Sequence, residues 1–218
     1  LDLIAIAAEP FAVARSVVGN DSSSNFTAIL ADVGGGTTDI AIVNDGGVEG
    51  TKMFGIGGRS FTNQIASELN LSYANAEKLK LNLENDKLKS NIAKEALEAI
   101  DNTLDVWISG VELALSEFSN LDYLPNRILL CGGGASLSAL TDRLNQKDWW
   151  KDLPFTKKPV VKHIQPTEVI GIDDLTGKIT DHTFITAMGL LRVGYDTYIG
   201  SEGVVESFKD RLNKILRN

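Results

Sequence analysis

The chain has 218 residues, of which 43% are hydrophobic and 23% are charged, a balance typical of a soluble globular protein with a sizeable core. Its 21 basic and 29 acidic residues give a formal net charge of −8, which disfavours binding to nucleic acid. Cys131 is the single cysteine, so an internal disulfide is excluded and a reducing cytosol fits. No apolar run approaches the length of a membrane span, and residues 1–8 lack the basic flank of a signal peptide.

The first part of the sequence predicts one helix and an antiparallel meander of three strands. Pro10 suits the first turn of a helix, where its missing N–H is not needed. Two apolar, β-branched runs flank a glycine turn, and the turn sequence Asn44-Asp-Gly-Gly47 leads into a third strand. In chain order, we predict a short strand or buried segment at 1–8, a helix at 11–18, a loop at 19–25, and strands at 28–31, 40–43 and 48–54.

The remainder of the sequence alternates helices with short buried strands. Ser60 and Ser72 suit helix N-caps, and apolar residues at helical spacing continue over 92–118 as one long helix or two. Residues 81–90 are polar and carry no strand pattern. The predicted elements are helices at 60–69, 72–80, 92–118, 137–144 and 183–193, strands at 127–131 and 160–164, and a terminal amphipathic helix at 204–216.

The most informative motif is Asp32-Val-Gly-Gly-Gly-Thr-Thr-Asp39, which lies in the predicted hairpin. Its glycines let successive backbone N–H groups approach an anion, because no β-carbon blocks the way. The hydroxyls of Thr37 and Thr38 can add donors to phosphate oxygens. Asp32 and Asp39 have the wrong charge for phosphate, but they suit Mg²⁺ held through water. The motif predicts a nucleotide-phosphate site; the alternative is an ordinary tight hairpin that uses glycine for its backbone angles.

A second glycine cluster, Leu129-Leu-Cys-Gly-Gly-Gly-Ala-Ser136, has the strand–glycine–helix form. This form places free N–H groups and the positive end of a helix dipole near Gly133 and Gly134, which favours an anion. The alternative is a tight strand-to-helix crossing without a ligand. Because two such clusters occur in one chain, we expect both to contact the same triphosphate.

Other polar residues give weaker signals. Glu77 and Lys80 are three residues apart on one predicted helix face, so they could reach ribose hydroxyls or a base edge, or form a solvated ion pair. His163 and His182 lie far apart in the sequence without a ligand at metal spacing, so no metal or triad role is predicted for them. Cys131 follows a buried strand and is most simply a small core residue.

In this order, the motifs resemble those of the actin-like ATPase superfamily. The segment 32–39 is similar to its second phosphate motif, and 129–136 is similar to its adenosine motif. Within the superfamily, Gly57-Gly-Arg-Ser-Phe-Thr62 followed by 76–80 most resembles FtsA, the bacterial cell-division actin homologue, and its relative PilM of type IV pilus assembly. The resemblance implies an α/β, ribonuclease H-like ATPase domain: a mixed sheet with an antiparallel three-strand meander flanked by helices, plus a small mainly helical subdomain.

The resemblance also implies ATP and Mg²⁺ as cofactors and a role for each motif. Glu9, in the helix that crosses between the domain halves, would lie near the metal and the attacking water, and Asp32 would share this catalytic role. Asp32 and Asp39 would order the hydrated Mg²⁺. Glu77 and Lys80 would address the ribose or base. The phosphates and the adenosine side would be lined by Gly34, Gly35, Gly36, Thr37, Thr38, Gly133 and Gly134.

The resemblance divides the chain into an ATPase subdomain (1–69 and 127–195), a small helical subdomain (70–126) and a tail with an amphipathic helix (196–218). The family's first phosphate motif has no counterpart after Leu1, so we expect a fragment with one wall of the nucleotide cleft. Phosphoryl transfer needs charge neutralisation from both sides of the γ-phosphate. For this chain alone we therefore predict weak binding and negligible hydrolysis.

The predicted function is that of an FtsA-like cell-division protein fragment that links a cytoskeletal partner to the inner face of the cytoplasmic membrane. The expected partners are an FtsZ-like filament protein or further copies of the chain, with membrane contact through 204–216 and no nucleic acid. A PilM-like role in pilus assembly is the first alternative. A small-molecule kinase of the same superfamily is the second, although Glu9-Pro10 offers no clear sugar-binding cluster of acids and amides.

Overall fold

The computed structural model describes residues 6–18, 25–83, 91–146 and 148–198. The predictions at 1–5, 19–24, 84–90 and 204–216 lie outside these ranges. The strands are β1 (Ala28–Val33), β2 (Thr38–Asn44), β3 (Gly47–Phe54), β4 (Arg127–Cys131) and β5 (Val160–His163). The helices are α1 (Glu9–Val17), α2 (Gly58–Glu68), α3 (Tyr73–Leu81), α4 (Asn91–Ser116), α5 (Ser138–Gln146) and α6 (185–198), with short 3-10 turns at Gly133–Ser136, Pro166–Glu168 and His182–Phe184.

The strands form one mixed five-stranded sheet in the order β3-β2-β1-β4-β5. The predicted meander is confirmed, because β1 pairs antiparallel with β2 and β2 pairs antiparallel with β3. On its other side β1 pairs parallel with β4, and β4 pairs parallel with β5. Because β1 and β4 run in the same direction, the turns that follow them leave the sheet at the same edge.

Helices cover both faces of the sheet, which explains why every residue of β1 is buried. On one face, α2, α3, α4 and α5 share an apolar core with the sheet that is centred on Trp107. On the other face, α1 and α6 pack over a second apolar cluster that contains Cys131, as predicted for that cysteine. The separate helical subdomain at 70–126 stays a prediction.

Two boundaries differ from the sequence-based prediction in ways that matter for the site. β1 extends to Val33, so Asp32 lies inside a strand instead of after it. α6 extends to residue 198 instead of ending at 193. Of the two alternatives predicted for α4, the structure has the single continuous helix, 26 residues long. Across the described ranges, none of the helices has both the length and the apolar character needed to cross a membrane.

Candidate functional site

The two glycine segments lie side by side at one edge of the sheet. Asp32 and Cys131 are register partners on β1 and β4, so the chain enters both turns at the same level. A β-carbon on Gly134 would lie only 2.7 Å from the carbonyl oxygen of Gly34. The two segments therefore touch through their main chains, a proximity that a shared triphosphate site requires. We call the surface formed by 34–37 and 132–136 the glycine cleft.

A third wall of the glycine cleft comes from the start of α2. The N–H of Gly58 donates to the carbonyl of Gly34 at 2.9 Å, and the N–H of Arg59 donates to the carbonyl of Gly35 at 2.8 Å. A β-carbon on Gly57 would lie 2.6 Å from the Gly34 oxygen. The Gly57-Gly58 pair is thus packed against the predicted phosphate turn.

Arg59 is a candidate site residue that the sequence analysis missed. Its guanidinium Nε lies 3.0 Å from the position of a β-carbon on Gly35, so a positive charge stands directly beside the glycine turn. Gly35 and Gly36 are exposed, and the space around Gly36 is open. In the sequence, Arg59 lies inside the segment 57–62 that carries the resemblance, immediately after a glycine pair, but no site role was predicted for it. A cation at this position is well placed to attract a polyphosphate.

Gly132 fixes the entry to the second turn. Its φ of +86° lies in the left-handed region, which side-chain-bearing residues rarely adopt. A β-carbon there would also lie 2.1 Å from a carboxylate oxygen of Asp32. Glycine at this position therefore allows the Asp32 carboxylate to lie directly under the second turn.

Acidic groups converge beneath the glycine cleft. Asp32 is only 6% exposed and accepts a hydrogen bond from the hydroxyl of Thr186 on α6, a partner that no sequence signal indicated. Burial raises the pKa of Asp32; the Thr186 bond opposes this rise, and the charges of Glu9 and Asp39 add to it. Burial likewise raises the pKa of Asp39, against a hydrogen bond donated by the Thr37 hydroxyl at 3.0 Å.

These carboxylates fit a hydrated cation better than a directly coordinated one. Within the part of the chain that the structure describes, no group of three His, Cys, Asp or Glu side chains is close enough to hold a metal ion. Asp32, Asp39 and Glu9 nevertheless lie close enough for Glu9 and Asp39 to raise the pKa of Asp32. A divalent cation that keeps its water shell would relieve this repulsion, which is the binding mode that Mg²⁺ favours.

Glu77 and Lys80 form a partly buried cluster beside the glycine cleft. The Lys80 ammonium donates to the Gly58 carbonyl at 3.0 Å, to the Thr62 hydroxyl at 2.8 Å and to the Glu77 carboxylate at 2.9 Å. Burial raises the pKa of Glu77, but the hydrogen bonds from Thr62 and Lys80 outweigh it, and the pKa is lowered overall. The Lys80 side chain is 10% exposed and that of Glu77 is 32% exposed, so the ion pair is partly buried instead of fully solvated.

A cavity of about 240 Å³ lies between this cluster and the second glycine turn. Lys80 and Gly58 line one side of it, and Gly133, Gly134 and Ser136 line the other. Lys80 and the predicted adenosine motif therefore face a common space, whereas Glu77 does not line it.

Thr38 requires a correction, because its hydroxyl does not face the glycine cleft. The residue is fully buried at the start of β2. Its hydroxyl donates to the carbonyl of Ile56 at 2.7 Å and accepts a hydrogen bond from the indole N–H of Trp107 at 2.9 Å. The single hydroxyl proton of Thr38 is thus engaged within the protein, and that of Thr37 is donated to Asp39, so both threonine protons already have protein acceptors.

The two histidines, far apart in the sequence, meet behind the second glycine turn. The rings of His163 and His182 stack with centroids 4.2 Å apart. One ring nitrogen of His163 lies 3.0 Å from the Ala135 carbonyl, and one of His182 lies 3.3 Å from the Ser136 hydroxyl. The pair therefore supports the turn from behind.

This arrangement of sheet, helices and glycine turns defines the chain as a domain of the actin-like ATPase fold. The PilM–PilN type IV pilus biogenesis complex superposes with a TM-score of 0.66 at 19% identity, over 87% of this chain and 52% of the matched chain. MreB5 of Spiroplasma citri bound to ADP superposes with a TM-score of 0.50 at 20% identity, over 93% of this chain and 61% of the matched chain.

Sequence comparison narrows this class to one family. The family profile described as "Cell division protein FtsA" matches residues 29–189. The chain belongs to the FtsA family. The cell division protein FtsA of Enterococcus hirae is 28% identical over 222 aligned residues, covering 90% of this chain and 48% of that protein. The chain thus spans about half the length of this curated relative.

Proposed function

We propose that this chain forms one wall of an ATP site, with Mg²⁺ as the accompanying ion, in an FtsA-type cell-division protein. The observation that carries the proposal is the main-chain contact between the two glycine segments, directly above the buried Asp32 carboxylate. Side-chain-free positions let a polyphosphate reach backbone N–H groups, and nearby carboxylates suit a hydrated Mg²⁺. The matched MreB5 is bound to ADP, which supports nucleotide as the ligand class for this fold.

Each predicted residue has a proposed role in this site. The turn 34–37 would receive the β- and γ-phosphates on its backbone, with Arg59 beside it. The Thr37 hydroxyl would contact phosphate by exchanging its bond to Asp39. Asp32, assisted by Glu9 and Asp39, would order the water shell of Mg²⁺, which neutralises phosphate charge when it is bound. The adenosine side would be lined by Gly133, Gly134, Glu77 and Lys80.

Hydrolysis by this chain alone should be negligible. Charge that develops on a transferred γ-phosphate must be stabilised from more than one side. This chain supplies the glycine cleft and the acidic groups beneath it, and its aligned relative is about twice as long. In the family's full-length proteins, ATP would bridge two halves of the molecule and bias closure or self-association.

The cellular role we propose is to link a filament to the membrane during division. FtsA family membership supports a cytoskeletal partner, either an FtsZ-like filament protein or further copies of the chain. The predicted amphipathic segment 204–216 would make peripheral contact with the inner face of the cytoplasmic membrane. A PilM-like role in pilus assembly is the second candidate, and the structural match to the PilM–PilN complex favours it.

Calorimetric titration with Mg-ATP tests the nucleotide site. Asp32→Asn keeps the side-chain shape but removes the charge that would order Mg²⁺, so we expect the affinity for Mg-ATP to fall about tenfold or more. Asp122→Asn is the matched control, because it removes one exposed carboxylate near the opposite end of β4. Equal heats for the wild type and Asp32→Asn would count against the site.

Two binding assays separate the two cellular roles. In one, the chain is co-sedimented with polymerised FtsZ-like protein; in the other, it is passed over an immobilised PilN-like peptide. Retention by the filament alone supports the division role. Retention by the peptide alone supports the pilus role.

A further inference from the structure

A chain of buried hydrogen bonds connects the long helix α4 to the glycine cleft. Trp107, on α4, is fully buried, and its indole N–H donates to the Thr38 hydroxyl at 2.9 Å. The Thr38 hydroxyl in turn donates to the carbonyl of Ile56 at 2.7 Å. Ile56 directly precedes the Gly57-Gly58 turn. A single hydroxyl, held from both sides, thus joins three separate elements.

The Gly57-Gly58 turn is the element whose position decides the shape of the cleft. It packs on the main chain of Gly34 so tightly that a β-carbon on Gly57 would lie 2.6 Å from the Gly34 oxygen. The N–H groups of Gly58 and Arg59 bond to the carbonyls of Gly34 and Gly35. A displacement of the Ile56 carbonyl would therefore be passed directly to the predicted phosphate turn.

Helix α4 is held firmly enough to serve as the anchor. One turn after Trp107, a β-carbon on Gly110 would lie 2.8 Å from the ring of Phe54, so helix and strand end are in close contact. Phe54 pairs with Thr38 in the β2–β3 register. Helix α4 thus packs against the β2–β3 strand pair, and the Trp107 indole on this helix orients the Thr38 hydroxyl of the same pair.

We propose that Trp107 is a positioning residue of the glycine cleft. Its N–H occupies the acceptor side of the Thr38 hydroxyl, so the hydroxyl proton points to the Ile56 carbonyl and holds the Gly57-Gly58 turn against the phosphate turn. The indole touches no ligand position itself. The inference rests on the proposed nucleotide site. It means that helix α4 is connected to that site through the hydrogen bonds from Trp107 to Thr38 and from Thr38 to Ile56.

The test compares two tryptophan substitutions that make the same chemical change at different places. Trp107→Phe removes the N–H bond to Thr38 while keeping an aromatic ring in the core. Trp149→Phe is the matched control, because Trp149 is also buried and donates its N–H to the Leu144 carbonyl at 2.9 Å, away from the cleft. Losing one buried hydrogen bond should cost both proteins similar stability.

We expect Trp107→Phe to weaken Mg-ATP binding about fivefold, while Trp149→Phe binds as the wild type does. Adding Thr38→Val to Trp107→Phe should weaken binding by less than Thr38→Val does alone, because both changes act on one bond. Equal affinities for Trp107→Phe and Trp149→Phe would overturn the inference.

A second readout needs no nucleotide. Amide hydrogen exchange at Gly58 and Arg59 in the ligand-free chain should be faster in Trp107→Phe than in the wild type, and unchanged in Trp149→Phe. If the wild type fails to bind Mg-ATP, the proposed function falls, but the exchange comparison still decides the role of Trp107. Unchanged exchange in Trp107→Phe would refute that role.

Discussion

Gly189 on α6 lies so close to Ala12 on α1 that a β-carbon on Gly189 would stand 2.0 Å from the Ala12 carbonyl oxygen. The two helices therefore cross with their main chains in contact. α1 begins with Glu9, and α6 carries Thr186, whose hydroxyl bonds to Asp32. The crossing thus sets the relative positions of two groups that surround the buried carboxylate.

Gly189→Ala should destabilise the folded chain by about 2–3 kcal/mol, because the added methyl group must push two helix backbones apart. Gly194→Ala is the matched control on the same helix: its β-carbon would meet no atom within 4 Å, and alanine favours the helix by about 0.5–1 kcal/mol. Urea denaturation measures both. Equal destabilisation by the two substitutions would contradict the close crossing.

Gly134→Ala should damage both folding and ligand binding, whereas Gly133→Ala should leave folding intact. A β-carbon on Gly134 would collide with the main chain of Val33 and Gly34, while one on Gly133 would meet open space. We expect a loss of about 1–3 kcal/mol of stability for Gly134→Ala and less than about 0.5 kcal/mol for Gly133→Ala. Thermal unfolding of both variants is the measurement, and similar midpoints would refute the main-chain contact.

Asp32→Asn should stabilise the chain at neutral pH although it weakens the proposed site. Burial raises the pKa of Asp32 above 3.8, with the Glu9 and Asp39 charges adding to the rise against the Thr186 bond. A folded state that holds a proton more tightly than the unfolded state loses stability as the pH rises from 3.8 through the raised pKa. At pH values above the raised pKa, the wild type is therefore destabilised by the ionised Asp32 carboxylate. The Asp32→Asn variant has no ionisable group there and keeps its stability.

The measurement is the urea midpoint of wild type and Asp32→Asn as a function of pH. We expect the variant to have the higher midpoint at neutral pH, with the difference shrinking as the pH falls toward 3.8. Asp122→Asn, which removes an exposed carboxylate, should show little difference at any pH. A pH-independent difference for Asp32→Asn would show that the carboxylate's ionisation is not responsible.

Lys80→Met should cost about 2 kcal/mol of stability, because it leaves the Gly58 carbonyl and the partly buried Glu77 carboxylate without their ammonium partner. Lys52→Met is the control, since Lys52 pairs with Glu117 on the surface and exposed pairs contribute little. Denaturation in low and high salt compares the two. If both substitutions had the same small effect, the Lys80 cluster would have no structural role.

The hairpin and the strand–glycine–helix turn were predictable from local signals, since apolar alternation and glycine position are properties of short segments. The parallel pairing of β1 with β4 was not, because no local signal joins strands so distant in sequence, and the resemblance implied only a mixed sheet. That pairing brings Gly34 to Gly134.

The failures share one physical cause, which is that a side chain's partner is chosen by packing. Thr38 looked like a phosphate ligand because its hydroxyl is evident in the sequence. Trp107, whose indole N–H donates a hydrogen bond to this hydroxyl, is 69 positions away in the sequence. Thr186, which bonds to Asp32, is 154 positions away, and nothing near it in the sequence marks it.

The main-chain hydrogen bonds from Gly58 and Arg59 to the first glycine turn have a kinetic consequence. These bonds hold the turn in place before any ligand arrives, so capture of an anion would cost little ordering entropy. Arrival would then be governed by diffusion and by the charge of Arg59, while differences among variants would appear in how long the ligand stays. A turn that is rigid before binding therefore affects the dissociation rate of the ligand more than its association rate.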